Sequence, residues 1–497
     1  MGQAKEPAKK KKYQTELPEL EIDWRPDRGS AAPVYQQIVD YVSRRISGGD
    51  WPVGSRLPSQ RRLAQQFGVN RSTISAAMDE LYSYGVLEGD RGRGTYVASN
   101  TWSLLMSSAP PDWGSYIRSG SFRANVPTIQ LINKLEFERD VLRLGTGELA
   151  PDLFPREIMD EVFSRLPARI PSLNYLEPLG LAELREVLAR RLCAQGIETS
   201  PSGILITSGS LQALQLISVC MLKPGSTVYT EAPSYVKSLQ VFQSAGMRLS
   251  GLPMDSEGLV HWNIPQKRES GLLYTIPTFH NPTGTVMSAQ RREALLRFCQ
   301  NTRLPIIEDN AYGELWFDEE PPRPIKTLDK NGVILYLGTV SKTIAPGLRI
   351  GWLAGPRSVT ERLGDVKMQI DYGASSLSQW ALAELLSGGL YDQYLASLRV
   401  KLKERRDLAL RALDLYFKDL ADWNIPQGSF YIWLRLKVSV PTDRLFQRAM
   451  EERILINPGS IYDYNKNNAV RLSYAYAAED QLEDGIRRLA KAVRSLI

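Results

Sequence analysis

The sequence has little of what builds crosslinks, metal clusters and membrane spans. Its 497 residues include only three cysteines and two histidines. Cys193, Cys220 and Cys299 sit in apolar, helix-like contexts without metal-ligand spacing. They argue against a disulfide framework or a thiolate metal site and predict buried, reduced thiols. His261 and His280 form no catalytic arrangement, although His280 precedes Asn281 and can line a pocket. No uncharged apolar run approaches membrane-spanning length, and no apolar core follows the Lys-rich N-terminus. Neither a membrane span nor a secretory signal is read, and a cytoplasmic protein is expected.

What remains is ordinary globular composition, with 43% hydrophobic and 23% charged residues. The chain is too long for one compact domain and predicts two or three. Net charge is +6. Residues 1–98 carry 15 basic against 12 acidic side chains, so positive charge is denser there. Such an excess is compatible with binding phosphate backbones.

Four segments are read along the chain. Residues 1–32 form a disordered basic tail and lead-in, whose Lys9 to Lys12 either touch DNA non-specifically or are simply solvated. Residues 33–98 form a compact unit. Residues 99–135 mix Ser, Pro, Gly and Trp without steady periodicity and make a linker or an irregular docking segment. Residues 136–497 alternate strand-like runs (204–207, 227–230, 272–277, 305–309, 333–338) with helical stretches. That alternation predicts a mainly parallel sheet covered by helices, with ligands bound at the carboxyl ends of the strands.

Within 33–98, Val34, Ile38, Val42 and Ile46 recur at helical spacing. Helical stretches at 61–67 and 71–84 flank a turn, where Gly68 permits the left-handed conformation and Asn70 can cap the second helix. Ile74, Ala77, Met78 and Leu81 mark its buried face and leave Arg71, Ser72, Thr73 and Ser75 near an exposed N-terminal end. A recognition helix enters the major groove by that end, where Arg can bond guanine and Ser or Thr can reach bases or phosphates. Two short strands, 86–88 and 95–97, bracket a glycine-rich basic hairpin with Arg91, Gly92 and Arg93, suited to a neighbouring groove. The stretch LPSQRRLAQQFGVNRSTISAAMDELYSYGVLEGDRGRGTYV resembles the GntR family of bacterial regulators. The resemblance implies a winged helix-turn-helix, mostly α with a β-wing, and makes Arg61, Arg71, Thr73 and the wing around Gly92 DNA contacts.

The second constellation starts at Ser341-Lys342. A lysine after a buried strand can serve as a Schiff-base amine. Pyridoxal 5'-phosphate needs an anion site, an acid for its ring nitrogen, donors to its phenolate oxygen and a flat face. Ser208-Gly209-Ser210 joins a strand to a helix and can hold phosphate, with Ser341 and Arg349 adding donors and charge. Asp309 ends a strand where a carboxylate can pair with the pyridine nitrogen. Asn281 and Tyr312 can bond the phenolate oxygen, and Tyr235 can stack on the ring. The segments NPTG, EDNAY, SKTIAPGLRIGW and RLSYAYA resemble the fold-type I, class I aminotransferases. That resemblance implies an α/β fold with a smaller α+β lobe. It also implies a carboxylate-binding Arg471, and a Tyr175 that reaches the cofactor phosphate of a partner subunit.

The pairing of both modules resembles the MocR subfamily of GntR regulators. The implied function is a regulator that binds promoter DNA and senses PLP or an amino compound, as a head-to-tail homodimer. Two other readings stay open. One is a working aminotransferase with an accessory DNA-binding domain, since no catalytic residue is missing. The other is a sensor of PLP alone. Effector, target genes and sign of regulation are not legible.

Overall fold

The computed structural model describes residues 20, 22–90, 94–98, 113–122, 124–265, 270–463, 465 and 467–497. The chain divides into two compact units, Met1–Ser121 and Phe122–Ile497.

The N-terminal unit opens with the helices α1 (Val34–Ser47), α2 (Gln60–Phe67) and α3 (Arg71–Ser83), followed by a hairpin of β1 (Leu87–Asp90) with β2 (Gly94–Val97). Ile38, Val42 and Ile46 of α1 share one core with Leu63, Phe67, Ile74, Ala77, Met78 and Leu81. The start of α2 is capped by Ser59, whose hydroxyl accepts the Arg62 N–H at 3.4 Å. Gly68 ends α2 at φ 68°, where a side chain is strained. Asn70 occupies the cap position of α3, yet its side chain makes no capping bond. The reason is local: its backbone carbonyl already takes the Thr73 and Ile74 N–H groups, at 3.1 and 3.3 Å.

The structure adds detail to two segments that the sequence left without elements. The lead-in at residues 22–32 is fastened to the core. Trp24 stacks on Tyr41 with centroids 4.9 Å apart, and Leu20 is buried in the same core. Spaced aromatics and single ion pairs hold this segment, which periodicity does not reveal. The stretch read as linker also carries helices, Trp113–Ser119 and Pro127–Leu135, and the latter buries Ile129 and Ile132. The hairpin tip Arg91–Arg93 lies outside the described residues, as does the run Lys9–Lys12.

The C-terminal unit is built on an eight-stranded sheet. Its strands run in space Ile204–Thr207, Gly351–Ala354, Ile334–Thr339, Ile306–Asp309, Gly271–Thr275, Thr227–Ala232, Arg248–Asp255 and Gly258–Leu259. Ile334–Thr339, Ile306–Asp309, Gly271–Thr275, Thr227–Ala232 and Arg248–Asp255 pair in parallel. Gly351–Ala354 runs antiparallel to both of its neighbours. Burial on both faces explains the near-continuous apolar runs in the central strands. A smaller antiparallel sheet of Ala421–Trp423, Tyr431–Leu436, Ala469–Ser473 and Asn457–Pro458 packs with the helices Leu390–Tyr416 and Glu479–Arg494. Among the described residues, no helix is long and apolar enough to cross a membrane.

The cysteines differ from expectation. Cys299 is buried and Cys220 is intermediate, but Cys193 is exposed. Its helix, Ala182–Ala194, buries Leu184, Leu188 and Leu192. One residue further, a turn of about 100° carries Cys193 off that face.

Candidate functional site

In the N-terminal unit the described residues expected at DNA lie at the starts of α2 and α3. Arg61 is exposed on the first turn of α2, and Arg71 and Ser72 are exposed on the first turn of α3. Thr73 and Ser75 are half-buried. Neither Arg61 nor Arg71 has an ion-pair partner among the described residues. Arg91, Gly92 and Arg93 fall outside those residues, so their placement is not described.

In the C-terminal unit, polar residues from many segments converge at the carboxyl ends of the strands. Ser208-Gly209-Ser210 turns from Ile204–Thr207 into the helix Ser210–Met221, with Gly209 at φ 88°. A Cβ on Gly209 would lie 3.0 Å from the Arg349 guanidinium, so glycine leaves room for that cation. Arg349 Nη2 donates to the Ser208 carbonyl at 2.8 Å. Ser208 is itself engaged: its N–H donates to Gln212 at 2.8 Å and its hydroxyl to Asp371 at 3.3 Å. Asp371 also takes the buried Lys367 ammonium at 3.1 Å. Ser341 receives the Thr339 hydroxyl at 2.9 Å, which places it on the same side of the sheet.

Lys342 is half-buried, and its Nζ donates to the Gly147 carbonyl at 2.7 Å. Asp309 is buried, and its Oδ2 accepts the Tyr274 hydroxyl at 2.6 Å. Its Oδ1 has no hydrogen-bond partner. Burial pushes the Asp309 carboxyl up from its ordinary range, while the Tyr274 hydroxyl, the Ala311 N–H and the Lys342 charge oppose that rise. A buried carboxylate oxygen without a close hydrogen-bond partner among the described residues suits a further N–H donor.

Arg471 is buried as well. Its Nη1 donates to Asn281 Oδ1 at 2.9 Å and its Nη2 to the Gly145 carbonyl at 2.6 Å, while Nε has no partner. The guanidinium lies 4.1 Å over the Tyr431 ring and 4.8 Å over that of Tyr462. Tyr312 shares a 2.7 Å hydroxyl bond with Tyr431. Tyr235 is half-buried and packs with Trp433 and Tyr462. Tyr175 stands apart from this group. It is 79% exposed and its ring lies 4.9 Å from Tyr372.

Behind Asn281 lies a second polar cluster. His280 is buried, its Nδ1 bonded to Thr283 at 2.8 Å and its partnerless Nε2 3.9 Å from Glu231 Oε2. Glu231 accepts the Ile276 N–H at 3.0 Å and the Thr275 hydroxyl. Burial raises the Glu231 carboxyl to about 7 and lowers the His280 imidazole to about 3. His280 is thus buried and held by Thr283 next to Asn281.

Sequence reasoning missed Tyr274, Tyr431, Tyr462 and Glu231. Tyr274 and Tyr431 are polar-tipped side chains in otherwise largely apolar strands, which was the available signal; Glu231 and Tyr462 carried none. Missed too were the glycine carbonyls of Gly145 and Gly147, which no side-chain motif announces.

Comparison with known proteins now places both units. A model of the aminotransferase class I and II family matches residues 139–489, and a model of the gntR family of bacterial regulatory proteins matches residues 34–97. The chain is 52% identical over 477 residues to the HTH-type transcriptional regulator YisV of Bacillus subtilis, covering 95% of this chain and 99% of that one. It is 34% identical over 454 residues to the HTH-type transcriptional regulator NorG of Staphylococcus aureus, covering 89% and 100%. Among solved structures it resembles a Pyrococcus horikoshii kynurenine aminotransferase in complex with PMP. That match has 31% identity and a TM-score of 0.71, and covers 75% of this chain and 95% of the other. It also resembles an α-aminoadipate aminotransferase of Thermus thermophilus complexed with a phosphopyridoxyl-leucine. There the identity is 30% and the TM-score 0.71, over 78% of this chain and 99% of the other. The chain therefore belongs to the GntR-type transcriptional regulators in which a helix-turn-helix is followed by a class I aminotransferase domain, the MocR subfamily.

Proposed function

We propose that this chain is a cytoplasmic transcription regulator with a DNA-binding domain at residues 33–98 and a sensing domain at 136–497. The first binds double-stranded promoter DNA. The second holds pyridoxal 5'-phosphate, and the cofactor, alone or with a small amino compound, sets DNA affinity. One observation carries the reading. A single chain joins surface arginines without ion pairs among the described residues, at the start of a recognition helix, to a buried carboxylate, Asp309, one of whose oxygens has no hydrogen-bond partner there.

The pocket residues fit the cofactor's chemistry. Asp309 Oδ1 offers a buried anionic acceptor for a protonated pyridine nitrogen. Arg349 and Ser341, with the start of the helix Ser210–Met221, suit a phosphate dianion. Asn281 and Tyr312 suit the phenolate oxygen, and Tyr235 the ring face. When bound, pyridoxal phosphate supplies an electrophilic carbon that couples reversibly to primary amines. Lys342 Nζ, steadied by the Gly147 carbonyl, is the chain's own amine for that anchor. Arg471 presents its guanidinium to an effector carboxylate, with Asn281 holding it in plane. Tyr175, exposed on its own subunit, serves the partner's phosphate in a head-to-tail homodimer.

Regulation then requires an element with two states. An amino effector takes the place of Lys342 and engages Arg471. That change biases the smaller lobe, and residues 99–135 carry the bias toward the DNA-binding domain. The completeness of the site also favours a second reading, turnover of amino and keto acids with Lys342 Nζ moving the proton. One experiment separates the two: operator affinity and reporter transcription with apo, cofactor-loaded and effector-loaded protein. The regulator reading expects a change of roughly 5–150-fold. Identical behaviour in all three states, with turnover at ordinary aminotransferase rates, would overturn it.

A further inference from the structure

We propose that the lead-in before α1 is part of the DNA interface, with Arg25 and Arg28 taking phosphates beside the recognition helix. The segment lies outside the residues matched by the regulator family, 34–97. The inference rests on the DNA-binding reading above and adds residues to it.

The lead-in is fastened at several points. Trp24 stacks on Tyr41 at 4.9 Å with an 11° interplanar angle, and meets Phe67 edge-on at 6.2 Å. Asp23 accepts the Tyr41 hydroxyl at 2.8 Å and Arg45 at 2.6 Å. Gln37 of α1 donates to the Asp27 carbonyl at 2.9 Å and to the Ala32 carbonyl at 2.8 Å. A segment held at both ends keeps its intervening side chains in fixed directions.

Those side chains meet the helix-turn-helix at its turn. Arg28 Nη2 donates to the Gly68 carbonyl at 3.0 Å. The Arg25 stem comes within 4.0 Å of the place where a Gly68 Cβ would stand. Gly68 precedes Arg71 by three residues, so their Cα atoms are at most about 11 Å apart. The Arg28 guanidinium and the Arg25 stem therefore lie beside the turn that leads into the end of α3 that enters the groove. Both residues are exposed, and neither forms an ion pair among the described residues. The two acids of the segment are engaged elsewhere, Asp23 by Arg45 and Asp27 by the Gly29 N–H at 2.8 Å. A pair of fixed, exposed cations beside a groove-entering helix suits the phosphates that flank the groove, and these contacts carry no base information.

The test uses the full-length protein and measures affinity on specific and random duplexes between low and moderate salt. The Arg25→Ala/Arg28→Ala variant should bind both duplexes roughly 30-fold more weakly near 0.15 M salt. Its slope of log affinity against log salt should be shallower by roughly two contacts' worth, about 1.8. The Arg25→Lys/Arg28→Lys variant should restore most of that slope, because phosphate contact needs charge and lysine keeps it. A thermal melt checks that the N-terminal unit stays folded. If wild-type protein binds neither duplex, the DNA-binding reading itself fails. If wild type binds and the alanine variant binds equally with an unchanged slope, only the lead-in contact is overturned. A loss confined to the specific duplex overturns the phosphate assignment as well.

Discussion

The two units handle polar chemistry in opposite ways. Among the described buried polar residues only Ser55 belongs to the N-terminal unit; the others lie in the C-terminal one. The DNA-facing arginines stand in water, where each adds a screened, graded contribution that falls with salt. In the cofactor site Asn281, Asp309, Tyr312 and Arg471 are buried, where each needs a partner and a missing partner is costly. Substitutions should therefore act by degrees in the first unit and nearly all-or-none in the second.

Lys342→Ala is the sharpest way to break that comparison. Wild-type protein loaded with pyridoxal phosphate should absorb in the visible, and borohydride should fix the label on the Lys342 peptide. The variant should lose the reducible chromophore completely while its N-terminal unit melts unchanged. A retained reducible chromophore would mean that another amine does the anchoring. DNA affinity of the apo forms should be equal, since the interactions of Lys342 with the Gly147 carbonyl and Asp309 lie within the C-terminal unit.

Next in size is a pH effect that only the buried unit can show. Glu231 titrates near 7 in the fold against an ordinary 4.5, so its stabilising contribution is complete below about pH 4.5 and is lost as pH rises through 7. His280 titrates near 3 against an ordinary 6.5, so its contribution is complete above 6.5 and is lost as pH falls. Between pH 4.5 and 6.5 the two slopes oppose and largely offset. Glu231→Gln removes one of them. Stability of the variant relative to wild type should then rise across that window by on the order of 3 kcal/mol, at about 1.4 kcal/mol per pH unit. Denaturant titrations at several pH values would measure it. A constant difference between the two proteins would show that Glu231 does not titrate in this window.

How much of this was legible in the sequence follows the same divide. The helix-turn-helix is local: apolar periodicity, Gly68 and the Ser59 cap all act within a few residues, so its elements could be placed closely. The parallel sheet was legible from apolar runs bounded by turns, and the site's motif residues from their positions at strand ends. What was not legible depends on long-range pairing. Tyr274 finds Asp309 across neighbouring strands, and Tyr431 finds Tyr312 from the smaller sheet. The lead-in was missed because two aromatics and one aspartate hold it, and none of these follows a period.

In the exposed unit the largest single effect should come from Arg71→Ala. It sits on the first turn of α3, without an ion pair among the described residues, where an arginine can contact guanine. The expected cost is about 1–3 kcal/mol on the specific duplex, with relaxed preference at the contacted base. Competition between specific and random duplexes measures it. Equal losses on both would reduce Arg71 to a phosphate contact and place it with Arg25 and Arg28.

The smallest effect tests whether the exposed unit is also graded in its folding. Ser59 caps α2 through a single bond at 3.4 Å, at the long end of hydrogen bonding. Alanine there removes one acceptor for a first-turn N–H that water can still reach, because Arg62 is exposed. The cost should therefore sit at the low end for a cap, about 0.5 kcal/mol. Hydrogen exchange at α2 should rise slightly, while exchange in the C-terminal sheet stays the same. Because α2 carries Leu63 and Phe67 into the core and sets the turn at Gly68, fraying should weaken binding on specific and random duplexes alike without changing the salt slope. A loss much above 1 kcal/mol would mean that the short α2 lacks an independent margin and that this unit too responds as a whole, contrary to its solvated, piecewise construction.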